Sequence, residues 1–222
     1  MTAPARLALF DCDGTLVDSQ ANICRAMEDA FVNHRLDPPD RDAIRRIVGL
    51  SLVEAMAVLA PDADDALHRA MADQYKLGFH ALRSTGGLLA EPLYDGIADA
   101  LAAIADAGWV LGVATGKSDR GLALILAHHG LERHFVTLQT ADRHPSKPHP
   151  AMVAAAMAAA GAVPETTVMI GDTSYDMAMA VAAGAQPLGV AWGYHAPDEL
   201  RAAGAAVVVQ HASELLPALS SH

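Results

Sequence analysis

The sequence predicts an α/β protein, a doubly wound and mostly parallel sheet with an all-helical insertion after its first strand. Three observations predict it. Short apolar runs recur at intervals filled by helical patterns. Several of those patterns stop at a glycine just past the last apolar position. The stretch between the first and second apolar runs carries only helical signals.

The first run, residues 7–10, is apolar on both sides of the pleat, as a strand covered by helices on each face requires. Helical patterns follow at 21–34, 41–48, 52–59 and 64–82, punctuated by Pro38, Pro39 and Pro61. Turn-like residues at 84–87 and at Glu91-Pro92 would bring the chain back to the sheet. Strand and helix then alternate. A helix at 97–107 closes at Gly108, a strand spans 109–114, and a helix at 121–129 closes at Gly130. A strand at 135–138 precedes a helix at 151–160 and Gly161; a strand at 168–170 precedes a helix at 174–183 and Gly184. Strands at 188–191 and 207–209 complete the pattern. The division expected is a core of residues 1–16 and 85–222, with 17–84 as the helical insertion.

The chain has 222 residues, of which 52% are apolar and 5% aromatic, enough for a full core built from small, close-packed side chains. A net charge of -11 argues against a nucleic-acid partner and against an anionic membrane surface. Phosphate would have to be bound locally, by a metal ion or a few placed cations. Cys12 and Cys24 are too few for a disulfide framework, so a reduced, cytoplasmic setting is the simplest reading. Residues 1–6 lack the basic start of a signal peptide, and the alanine-rich stretch 151–162 is too short to span a bilayer.

Open α/β sheets bind ligands at the carboxyl ends of their strands. The first strand delivers Asp11, Cys12, Asp13, Gly14 and Thr15 there. The second delivers Thr115, Gly116, Lys117 and Ser118, and the strand at 168–170 delivers Asp172, with Asp176 one helical turn on. Lys147 lies in a loop. Converging carboxylates repel by roughly 4 kcal/mol per pair at about 4 Å and surface-like dielectric. A divalent cation removes that cost, and hard oxygen ligands select magnesium, with Asp11 and Asp172 as the side-chain candidates. No cysteine or histidine accompanies these acids at zinc-ligand spacing.

The pieces "DCDGTL" at 11–16, "TGK" at 115–117, "SKP" at 146–148 and "GDTSYD" at 171–176 together resemble the haloacid dehalogenase-like hydrolase superfamily, in its order and over nearly the whole chain. Within it, the placement of the insertion is similar to phosphoglycolate phosphatase-like members with a helical cap. The resemblance implies a Rossmann-like core. It implies that Asp11 is the nucleophile and forms an aspartyl-phosphate, and that Asp13 is the general acid/base. It implies that Thr115 and the Gly116 amide bind the transferring phosphoryl group, that Lys147 steadies it, and that Asp172, Asp11 and the Asp13 main-chain carbonyl hold Mg2+. Asp176 would support the metal or Lys147.

These roles make chemical sense. An aspartate of ordinary pKa near 3.9 is ionised at neutral pH and needs no separate base to attack. Asp13 must hold a proton when the leaving group departs, which its negative neighbour Asp11 would favour.

Plainer readings stand beside these. Asp-x-Asp-Gly alone can be a turn or part of a calcium loop. "GVATGKS", 112–118, is no P-loop, because that motif needs glycine where Leu111 stands. Lys147 can be a surface lysine, and Asp176 an acid favoured by a helix dipole. Cys12 reads as core and the histidines as surface or helix-end residues. Runs 40–46 and 62–65 read as solvated helix faces. Ser118 and Arg120 are candidate substrate contacts, as are Arg45, Gly49 and Ser51 in the insertion.

The expected function is a magnesium-dependent phosphatase for a small phosphorylated metabolite, phosphoglycolate by resemblance, in a monomer or homodimer. A sugar phosphomutase, a carbon–halogen hydrolase (for which Asp13 has no use) and a non-catalytic binding protein on the same scaffold are the competitors.

Overall fold

A computed structural model describes residues 3–220, so Met1 and Thr2 of the leader reading lie outside the described residues. The chain runs β1 (Ala5–Phe10), α1 (Gln20–Asn33), α2 (Arg41–Ile47), α3 (Leu52–Leu59), α4 (Asp65–Ser84), α5 (Ile97–Asp106), β2 (Val110–Thr115), α6 (Asp119–His128), β3 (Phe135–Thr140), α7 (Ala151–Ala160), β4 (Ala162–Gly171), α8 (Ser174–Ala182), β5 (Gln186–Val190), α9 (Pro197–Ala202), β6 (Val207–Val209), a 3-10 turn (Ala212–Glu214) and α10 (Leu215–Ser220). The strands form one parallel sheet in the order β3-β2-β1-β4-β5-β6. No helix among the described residues is long and apolar enough to cross a membrane.

β1 shows why its residues are apolar throughout. Ala8 and Phe10 face α5, α6 and α10, packing with Leu101, Ile104, Ile125 and Leu215. Leu7 and Leu9 face the other layer, packing with Met152 and Val153 of α7 and Met179 of α8. Both faces of the pleat are therefore inside, and every residue from Leu7 to Phe10 is buried. Gly161 ends α7 at φ 67°, a left-handed position that glycine takes without steric cost.

β4 is longer than the apolar run predicts. It starts at Ala162, because Pro164, Glu165 and Thr166 lie at an end of the sheet where burial is incomplete and polar residues are tolerated. α9, α10 and the 3-10 turn are too short to leave a readable periodicity.

Helices α1 to α4 lie between β1 and α5 and have their own apolar centre, including Met27, Phe31, Ile44, Met56 and Met71. Asp40 and Asp64, read as members of solvated runs, cap α2 and α4 by accepting from the Ala43 and Leu67 amides. The two connections to the core run side by side. The Asp18 amide donates to Pro92 O and the Tyr94 amide donates to Leu16 O.

Candidate active site

The sheet reverses direction of growth at β1: β2 and β3 lie on one side of it, β4 to β6 on the other. That reversal opens a crevice at the carboxyl ends of β1 and β4. Asp11 leaves β1 there, its amide donating to Ile170 O of β4 at 2.9 Å, and Asp172 leaves β4.

Asp11, Asp172 and Asp176 are all buried and bring ligand oxygens within 4.8 Å of one another. Lys147 is buried among them, its Nζ 2.9 Å from Asp11 Oδ1 and donating to Asp176 Oδ1 at 2.6 Å. It is no surface lysine. Asp176 also accepts from the Thr173 amide and hydroxyl, closing a capping box at the start of α8. Asp172 accepts from Thr15 Oγ1 at 2.7 Å and from the Tyr194 amide at 2.9 Å. A Cβ on Gly14, which sits at φ 87°, would collide with the Asp172 carboxylate and the Tyr194 ring, so only glycine lets the chain turn there.

Burial dominates the electrostatics. It pushes the Asp11 carboxyl up to about 7, against the lowering effect of Lys147, and Asp176 adds to the rise. Asp172 is pushed well up by burial and then by Asp11 and Asp176. Burial works against the Lys147 ammonium, yet Asp11 and Asp176 carry it above its ordinary value. Burial thus works against ionisation of Asp11 and Lys147 works for it, a balance that the value of an isolated aspartate leaves out.

The donor set fits a hard divalent cation. Three buried carboxylates converge with one lysine, and Asp11 Oδ2 has no partner while Oδ1 is met by the Lys147 ammonium. Asp11 and Asp172 still present free lone pairs, whereas Asp176 is largely committed to Lys147 and Thr173.

The Asp13 carboxylate stands apart from this cluster. It accepts from Ser19 Oγ and pairs with Lys117 Nζ at 2.9 Å. The neighbour that meets it is thus Lys117, which the sequence reading quoted within "TGK" and gave no role. Burial acts to lower Lys117, and Asp13 raises it above its ordinary value. The available signal was a lysine two residues past a buried strand end.

Thr115 is buried at the end of β2, and its Oγ1 accepts from the Lys117 amide, leaving the hydroxyl proton free. Gly116 lies beneath the loop between α2 and α3, where a Cβ would come 2.7 Å from Gly49 O and 2.6 Å from Leu50 O. Ser118 caps α6 through the Gly121 amide and also lines the cavity described next.

A cavity of about 370 Å³ runs from Asp11, Asp13, Thr115 and Gly116 up among α1, α3 and α4. Gly49 and Arg120 line it; Arg45 and Ser51 do not. Arg45 pairs with Asp42, and the Ser51 amide donates to Ser146 Oγ. Arg46, in α2, meets α8 and α9 through an ion pair with Glu199 and a carbonyl that accepts from Tyr175 and His195. Of the histidines read as surface or helix-end residues, His68 and His195 stand near helix starts but are buried, and Cys12 is core as expected.

Residues 8–190 match the haloacid dehalogenase-like hydrolase family. The chain belongs to that family. "Probable phosphatase IndB" of Dickeya dadantii is 38% identical over 217 residues, covering 96% of this chain and 92% of that protein. A protein named tyrosine-protein kinase PtkA, from Mycobacterium tuberculosis, is 34% identical over 211 residues, covering 94% of this chain and 69% of that one. Among solved structures, a Clostridium acetobutylicum protein described as a predicted phosphatase superposes with a TM-score of 0.88 at 26% identity, over 99% of this chain and 100% of that one. The haloacid dehalogenase-like hydrolase expected from four short motifs is therefore the family of the whole chain, and the mutase and binding-protein readings rest on the same scaffold.

Proposed function

We propose that this hydrolase is a magnesium-dependent phosphatase that cleaves a small phosphorylated metabolite through an aspartyl-phosphate. The observation that carries the reading is the buried Asp11, paired with Lys147 at Oδ1 and unmet at Oδ2, on a cavity lined by strand ends and by helices α1, α3 and α4.

Asp11 attacks phosphorus, the ester P–O bond breaks, and Asp13 gives its proton to the departing alkoxide. Asp13 then takes a proton from water, whose oxygen attacks the same phosphorus and returns Asp11 as free phosphate leaves. Thr115 Oγ1 and the Gly116 amide orient the phosphoryl oxygens, and Lys147 neutralises charge beside Asp11. Lys117 and Ser19 hold the Asp13 carboxylate in position. Asp11, Asp172 and the Asp13 carbonyl would hold magnesium, which when bound offsets the repulsion between Asp11 and the phosphate dianion.

In this reading residues 17–84 act as a cap. Its loop at Gly49-Leu50 presses on Gly116, so substrate enters when the cap lifts and water is excluded when it seats. A site closed in this way suits a small metabolite and not a phosphoprotein.

A phosphate-release screen of phosphorylated metabolites in magnesium buffer tests the reading. Free phosphate separates hydrolysis from return of the phosphoryl group to a sugar and from its transfer to a protein tyrosine. No release from any ester, including aryl phosphates, would overturn it.

A further inference from the structure

We infer that the preferred substrate carries its phosphate on a ring-bearing body with a hydrogen-bond donor, and that Glu91 reads that donor; the inference rests on the phosphatase reading above.

Two independent features point there. The first is the wall of the cavity. Tyr75 and Phe79 of α4 form an aromatic pair with ring centroids 5.3 Å apart, and Ile23, Met27 and Leu52 add apolar surface from α1 and α3. Such a wall gains from burying a flat or cyclic body and gains little from a two-carbon acid. A phosphoglycolate molecule would leave most of a 370 Å³ cavity unfilled.

The second is Glu91, which the sequence reading passed over as part of a turn. It is 7% exposed and lines the cavity. Oε2 lies 3.9 Å from Arg83, while Oε1 is buried without a partner. A buried acceptor left unsatisfied is costly, more so when charged, so a ligand donor there is rewarded. The residue is also preorganised. His129 Nε2 donates to the Glu91 carbonyl at 2.8 Å, and the Asn22 side chain both donates to and accepts from the Leu89 backbone. Lys76, His80 and Arg120 line the cavity too, but from exposed positions. Arg83 already faces the Glu91 charge, so a neutral N–H or O–H suffices to complete it. A substrate carboxylate would instead meet like charge.

The test compares kcat/KM for nucleoside 5′-monophosphates and hexose 6-phosphates (rings with donors), phenyl phosphate (a ring without one) and phosphoglycolate. The wild-type protein is expected to prefer at least one ring-and-donor ester over phosphoglycolate by about tenfold or more. Glu91→Ala is expected to lower the ratio of that ester to phenyl phosphate by about tenfold or more. The isosteric Glu91→Gln, which keeps one acceptor oxygen, is expected to lower it by only about threefold, and it covers failure of the alanine variant to fold. An unchanged ratio in the folded variants, or a wild-type preference for phosphoglycolate, overturns the inference while phenyl phosphate turnover keeps the phosphatase reading intact. Absence of turnover on every ester overturns both.

Discussion

Lys117 Nζ lies 2.9 Å from Asp13 Oδ1, an ion pair made from the ends of two adjacent parallel strands. Asp13 leaves β1 and Lys117 leaves β2, and both side chains are largely shielded from water. The proposed acid/base is therefore held by a lysine far away in sequence, and not by the nearby Asp11. Lys117→Met should release the Asp13 carboxylate and lower kcat by about tenfold or more while the circular dichroism spectrum is kept. Wild-type kcat in that variant would remove Lys117 from the mechanism.

Asp11→Asn keeps the shape of the side chain and removes the attacking oxyanion. Turnover should fall by about 10⁴-fold or more, since loss of a covalent nucleophile leaves only binding and orientation. Steady-state phosphate release on the folded variant checks it, and near-normal activity would mean that another group attacks.

Lys147→Met leaves Asp11 and Asp176 buried without their cation. Both carboxylates and the lysine are essentially inaccessible to water, so the loss should be about 3–5 kcal/mol of unfolding free energy in chelator. Urea denaturation with and without magnesium measures it, and the ion should recover part of the loss. A variant as stable as wild type in chelator would show that the lysine is not needed for charge balance.

Metal binding should be linked to pH in a definite direction. Without metal, burial pushes Asp11 up to about 7 from an ordinary value of 3.8. The folded state thus keeps a proton that the unfolded state releases, so metal-free stability falls as pH rises from about 4 to about 7. Lys147, raised above its already high ordinary value, does not titrate in that window. Magnesium needs the deprotonated carboxylates, so its increase in Tm should be larger at pH 7.5 than at pH 5.5. Equal shifts at the two pH values would contradict the carboxylate site.

Gly116→Ala tests whether the insertion must seat for turnover. The added Cβ would come 2.6 Å from Leu50 O, pushing the loop off the strand end. We expect kcat/KM to fall about tenfold, with Tm of the core changed by only a few degrees. Unimpaired turnover would mean that catalysis proceeds with the cap raised.

The local signals in the chain were enough for much of this. Leu7 to Phe10 could be read as a strand because both of its faces are covered, and Gly161 as a helix end because its backbone is left-handed. Asp11 and Asp172 could be read as partners because each directly follows such a strand. Lys147, from a three-residue motif in a loop, was legible through resemblance alone, and the structure gives it a reason in its contacts with Asp11 and Asp176. Four things were decided only by the tertiary structure: the pairing of Lys117 with Asp13, the unmet oxygen of Glu91, the burial of His195, and the elevation of Asp11. Periodicity and capping act over a few residues and leave their mark in sequence. Charge partners and desolvation depend on strand order and on how the insertion folds back, which bring together groups that no local pattern connects.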